Sequence, residues 1–221
     1  QEGMAHIAMA ICDPGDVVLV PNPGYPVFTA GPFLCGAKVE TYDLHPENNF
    51  LIEFDKIPEE QARRAKMMIV SYPLNPVCVT APDSFYEELI TFAKKYNIII
   101  LHDNAYSDII YGGRVGKSFL SFRGAKDVGV EFYSLSKSYN YTGARMSFVV
   151  GNQAVIDKFK NVRSQIDYGI FLPVQYGAIA ALTGPQDAVK AQCEEYDRRN
   201  HALSEGLTSI GWKVPLSQGT M

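Results

Sequence analysis

Lys137 lies in the segment SLSKSYNYTGAR, which sets one amine among hydroxyls and places a guanidinium eight residues later at Arg145. An amine so placed can condense with a carbonyl carbon. Ser134, Ser136 and Arg145 are the kind of donors an anion such as a phosphate needs, the arginine through a bidentate, charge-assisted pair. A carboxylate stands apart from them: Asp103 follows the apolar run NIIIL and begins a short stretch, DNAY, that also supplies Tyr106. Asn75 in YPLNP and Tyr25 in PNPGYP add an amide and a second aromatic, both held in proline-rich turns. Other chemistries lack their motifs. The chain has no GxGxxG or GxxxxGK[ST] phosphate loop and no GxSxG nucleophile elbow.

The elements that must position these residues read as alternating strands and helices. Short β-branched and apolar runs at 17–20, 37–42, 66–72, 97–103, 128–134 and 145–150 predict strands. Several are continuous rather than alternating, which suits strands buried on both faces of a parallel sheet. Helices are expected at about 2–12, 26–35, 81–96, 152–165 and 172–183, and a long charged one over 186–210, ended by Gly211 and followed by a strand-like WKV. In the third, Phe85, Leu89, Phe92 and Ala93 form one stripe, with acids early and Lys94-Lys95 late, as the helix dipole prefers. The expected fold is therefore α/β, a three-layer α/β/α arrangement around a mostly parallel sheet. In such sheets ligands bind outside the carboxyl ends of the strands. Four of the predicted strands end at Tyr25, Asn75, Asp103 with Tyr106, and Ser134 through Lys137, so the candidate residues converge on one edge.

Bulk properties narrow the class. The 221 residues are 47% hydrophobic and 20% charged with a net charge of −4, which suits a globular protein and offers no basic surface for nucleic acid. The pairs Arg63-Arg64 and Arg198-Arg199 read as solvated helix faces. Cys12, Cys35, Cys78 and Cys193 show no CxxC spacing and no accompanying histidine cluster, so neither a metal site nor a disulfide framework is expected; free thiols in a reducing cytoplasm are. No apolar run approaches the ~20 residues of a membrane span. The chain opens as a helix already under way (QEGMAHIAMAICD) and closes where a strand has barely begun, so it is expected to be part of a longer protein. A boundary is expected near Gly184-Pro185, dividing a large domain over 1–184 from a connecting helix and the start of a small C-terminal domain over 185–221.

A lysine that can form an imine, a separate acid and a set of phosphate donors fit pyridoxal 5′-phosphate, whose ring nitrogen is served by an acid. The wording of the segments is more specific. SLSKSYNYTGAR resembles the Ser-x-x-Lys segment of the fold-type-I, class I and II aminotransferases, with the arginine eight residues on. HDNAY is similar to the family's Asp-x-x-Tyr, YPLNP to its Asn-Pro segment and PNPGYP to its aromatic turn. The likeness runs from residue 1 to the final GTM and is closest to the aspartate and LL-diaminopimelate aminotransferase branch. It departs at Val77-Cys78, where Thr-Gly is common, and at Ala144, where a large aromatic is common.

The resemblance implies catalytic roles for Lys137, Asp103 and Tyr106. Lys137 would form the Schiff base and later shuttle a proton, and Asp103 would keep the pyridine nitrogen protonated. Tyr106 and Asn75 would hydrogen-bond the phenolic oxygen, and Tyr25 would stack on the ring. Ser134, Ser136 and Arg145 would bind the phosphate beside the helix that starts at Gln1. It also implies amino-acid and 2-oxo-acid substrates, an acidic or diamino-diacid donor with 2-oxoglutarate as acceptor, and a homodimer. The family's carboxylate-binding arginine and N-terminal arm lie outside these 221 positions. Two other functions share the same residues: a pyridoxal phosphate lyase or decarboxylase on this scaffold, and a non-catalytic effector domain of a transcription regulator.

Overall fold

The computed structural model describes residues 1–219. Six strands, β1 (Val17–Asn22), β2 (Lys38–Asp43), β3 (Ala65–Val70), β4 (Ile99–Asn104), β5 (Gly129–Ser134) and β6 (Ser147–Gly151), form one sheet in the order β2-β1-β3-β4-β5-β6. Every neighbouring pair is parallel except β5–β6, which is antiparallel. The helices are α1 (Glu2–Ile11), α2 (Val27–Leu34), α3 (Glu59–Arg64), α4 (Asp83–Tyr96), α5 (Ala125–Val128), α6 (Leu135–Ser138), α7 (Gln153–Ile166), α8 (Leu172–Thr183) and α9 (Asp187–Ser209).

The apolar runs explain the sheet. Val17 to Val20 of β1 and Met67 to Val70 of β3 are all buried, because helices cover both faces. Burying each such side chain stabilises the fold by roughly 2 kcal/mol before entropy is counted. In α4 the stripe Phe85, Leu89, Phe92 and Ala93 is buried as its spacing predicts, and Asn97 in the left-handed region (φ 56°) stops the helix.

Two adjacent residues of β4 define the layers. His102 is in register with Glu131 and packs edge-on against Tyr86 of α4, with ring centroids 5.7 Å apart. Asp103 is in register with Phe132, whose ring meets Phe159 of α7 at 6.0 Å. Alternation along the strand thus sends His102 to the α4 layer and Asp103 to the α1/α7 layer. The approach of α1 is close: a Cβ on Gly3 would lie 2.5 Å from Cε1 of Phe132. Glycine there lets the first turn of α1 rest on the sheet.

Some elements differ from expectation. Residues 212–214 make no strand; the one bridge in that region joins Ile110 to Gly219. Their β-propensity lacks a neighbouring strand to pair with among the described residues. The helix before them ends at Ser209, with Gly211 at φ 96°. α3 is an unpredicted helix whose arginines pair with Glu59 and Glu40, and Arg198 and Arg199 pair with Glu195 on an exposed face. The last two residues of the GTM ending, Thr220 and Met221, lie outside the described residues. All four cysteines are free. Among the described residues no helix is long and apolar enough to cross a membrane.

Candidate active site

The strand order turns around β1, whose neighbours β2 and β3 lie on opposite sides. That is the switch point at which an open α/β sheet leaves a crevice beyond its carboxyl ends. A cavity of about 310 Å³ lies beyond these strand ends, and Gln1, Tyr25, Asn75, Asp103, Tyr106, Ser134, Ser136, Lys137 and Arg145 all line it. Every residue singled out for cofactor binding is therefore brought to one wall or another of a single space. Ser71 and Thr142 line it too, and sequence reasoning singles out neither.

Asp103 is the last but one residue of β4 and lies on the α1 side, and burial pushes its carboxyl above the ordinary aspartate range. Its carboxylate has no hydrogen-bond partner among the described residues. Ser71, just beyond β3, ties the two strand ends together, its Oγ 2.9 Å from the Asp103 carbonyl. Tyr106 is buried one turn further on. Burial pushes its phenol up, while a hydrogen bond with the Asn75 side chain opposes that rise. The Lys137 ammonium sits over the Tyr106 ring, 5.3 Å from its centroid, a cation–π distance.

The β5–α6 turn carries the lysine. Ser134 is the N-cap of α6 and accepts from the Ser136 amide at 3.2 Å, which fixes the direction in which Lys137 leaves the sheet. Thr142 then donates to the Ser136 carbonyl at 2.9 Å, folding the following loop back. Arg145 adopts a left-handed backbone (φ 56°) and donates from Nη1 to the Thr142 carbonyl at 2.9 Å, which leaves other donors of its fork unused. Across the cavity the Tyr25 hydroxyl donates to Gln1 Oε1 at 3.1 Å, and its ring meets Phe28 edge-on at 5.9 Å. Cys78 stands at φ 51°, a conformation that suits glycine, at the place where the resembling segment commonly carries one.

The donor set suits pyridoxal phosphate. Asp103 is half-buried with a raised pKa, and its ionised form would gain by meeting a cationic N–H. Lys137 lies near it, hydroxyls lie at the β5–α6 junction, and a partly free guanidinium lies in the loop after α6.

Comparison with known proteins agrees with the geometry. The family model described as aminotransferase class I and II matches residues 1–221. The chain is 47% identical over 220 residues to the LL-diaminopimelate aminotransferase of Halothermothrix orenii, covering all of this chain and 57% of that protein. It is 41% identical over 221 residues to the glutamate-pyruvate aminotransferase AlaC of Escherichia coli, covering 54% of its length. The substrate-bound BacF structure from Bacillus subtilis superposes with a TM-score of 0.94 at 35% identity, over 99% of this chain and 56% of that one. The chain thus spans little more than half the length of the curated relatives it matches.

Proposed function

This chain belongs to the aminotransferase class I and II family, and on that premise we propose that it is the pyridoxal phosphate-binding part of an enzyme that moves an amino group between an amino acid and a 2-oxo acid. The carrying observation is the convergence of an amine, an acid and anion donors from four strand ends on one cavity. When bound, the cofactor supplies an electron sink for the substrate carbanion.

The chain's own residues do the rest. Lys137 would hold the cofactor through its Nζ, and its amine is placed to move a proton at the substrate Cα. Asp103 would face the ring nitrogen and hold a proton there. Asn75 and Tyr106 would hydrogen-bond the phenolic oxygen, and Tyr25 would cover the ring. Ser134, Ser136, Arg145 and the Gln1 end of α1 would hold the phosphate. We place the boundary between this part and the rest of the protein at the Gly184–Gln186 turn between α8 and α9, so that 185–221 opens a second domain. The names of the similar enzymes support an acidic or diamino-diacid donor with a 2-oxo-acid acceptor. A homodimer in the cytoplasm completes the reading, and four unpaired thiols are compatible with a reducing compartment.

The test is single-turnover. Adding a diamino-diacid or glutamate to the cofactor-loaded protein should convert the lysine-linked absorbance band into that of the amine form, with one 2-oxo acid released per site. Release of carbon dioxide or ammonia instead would make it a lyase.

A further inference from the structure

Asp108 lies outside the cavity and has no part in the roles above. It follows Tyr106 by two residues, and a single oxygen of its carboxylate, Oδ2, accepts from two hydroxyls. One belongs to Ser138, at 2.7 Å, and the other to Tyr133. Tyr133 immediately precedes Ser134, and Ser138 immediately follows Lys137. One carboxylate oxygen therefore grips both ends of the four-residue segment that carries Ser134, Ser136 and Lys137.

The grip is built in. The Ser138 side chain is buried, so its hydroxyl has to find an acceptor inside the protein. The Tyr133 ring is fixed by stacking on Phe148, with centroids 5.2 Å apart and planes 29° apart. Burial, and then the bond to Asp108, push the Tyr133 phenol up, so it remains a donor. The same loop also delivers Tyr106 to the ring-side wall of the cavity, so Asp108 ties the tyrosine that faces the Lys137 ammonium to the backbone from which that lysine springs.

We propose that Asp108 is a positioning residue for Lys137: its carboxylate clamps Tyr133 and Ser138 and so fixes the height and direction from which the lysine enters the cavity. This rests on Lys137 being the cofactor-linked lysine. Without the clamp no side chain holds Tyr133 and Ser138 together, and the turn keeps the Ser134 cap, the Thr142 contact and the Gln192 bond to the Lys137 carbonyl.

The experiment follows the absorbance of the lysine-linked band against pH, together with the rate of cofactor release, in the loaded protein. Wild type is compared with Asp108→Ala, Asp108→Asn, and the Tyr133→Phe/Ser138→Ala pair. In Asp108→Ala the titration midpoint should move by about half a pH unit or more and release should be about tenfold faster, the scale of a lost charge-assisted hydrogen bond. The Tyr133→Phe/Ser138→Ala pair should reproduce both changes, since the effect passes through those hydroxyls. Asp108→Asn, which keeps an acceptor without the charge, should lie between. If Asp108→Ala fails to fold, the Tyr133→Phe/Ser138→Ala variant carries the same test. Unchanged midpoint and release in the variants, with only melting temperature altered, would overturn the proposal. Absence of the band in wild type would instead overturn the cofactor reading on which it rests.

Discussion

The side-chain amide of Gln192, in the second turn of α9, donates to the main-chain carbonyl of Lys137 at 2.8 Å. A second bond runs from the Tyr139 hydroxyl to Gln186 at the start of the same helix, also 2.8 Å. Helix α9 thus braces the lysine turn from outside, and the placement of a residue near the end of the chain reaches the reactive amine. Replacing Gln192 with Leu removes the donor. It should weaken cofactor binding by ~1 kcal/mol, about fivefold, as read from an equilibrium titration. Gln192→Glu should do no better, because an ionised carboxylate cannot donate.

Arg163 of α7 holds the other side of the cavity. Its Nη1 donates to Glu2 Oε1 at 2.7 Å and lies 2.8 Å from His6 Nδ1, while Nη2 donates to Asp167 at 2.5 Å. Both α1 partners sit in its first two turns, beside the proposed phosphate site. Arg163→Ala should lower thermal stability by ~2 kcal/mol and raise the dissociation constant for the cofactor. Arg163→Lys should recover little, since a single ammonium cannot span three acceptors at these angles. Calorimetry and cofactor titration of the two variants check this.

Glu131 gives an acid-dependent prediction. Burial raises its carboxyl, but hydrogen bonds from His102, Ser118 and Asn104 outweigh that and hold it below its ordinary value of 4.5. It also accepts from the Phe119 amide at 2.7 Å. The unfolded chain therefore takes up the proton first as pH falls. The stabilisation is complete above about pH 4.5 and is lost as the pH drops through the lower folded value. Chemical denaturation from pH 7 to 3 should show that limb in wild type and a flatter one in Glu131→Gln. Glu131→Ala, which strands buried donors, should cost about 3–5 kcal/mol at pH 7.

Much of this is legible in the sequence, for physical reasons. VVLV, MMIV and IIIL announce strands because only a sheet covered on both faces needs such runs. Most of the cavity-lining residues could be found because they place polar, charged or aromatic groups in recognisable segments beyond the ends of those runs. Ser71 and Thr142 could not, being a strand-end serine and a loop threonine with no motif around them. α3 stayed hidden because EEQARR buries only Ala62, so it lacks an apolar stripe. The bonds of Asp108 to Ser138 and of Gln192 to Lys137 cross 30 and 55 residues, and no local spacing encodes them.

The central claim is that Lys137 is the covalent anchor. Borohydride reduction of the protein loaded with pyridoxal phosphate, followed by proteolysis and mass mapping, reads this directly. The pyridoxyl group should lie on the peptide containing Lys137, with none incorporated in Lys137→Ala. Stoichiometric labelling of another lysine, or labelling that survives Lys137→Ala, would contradict the account.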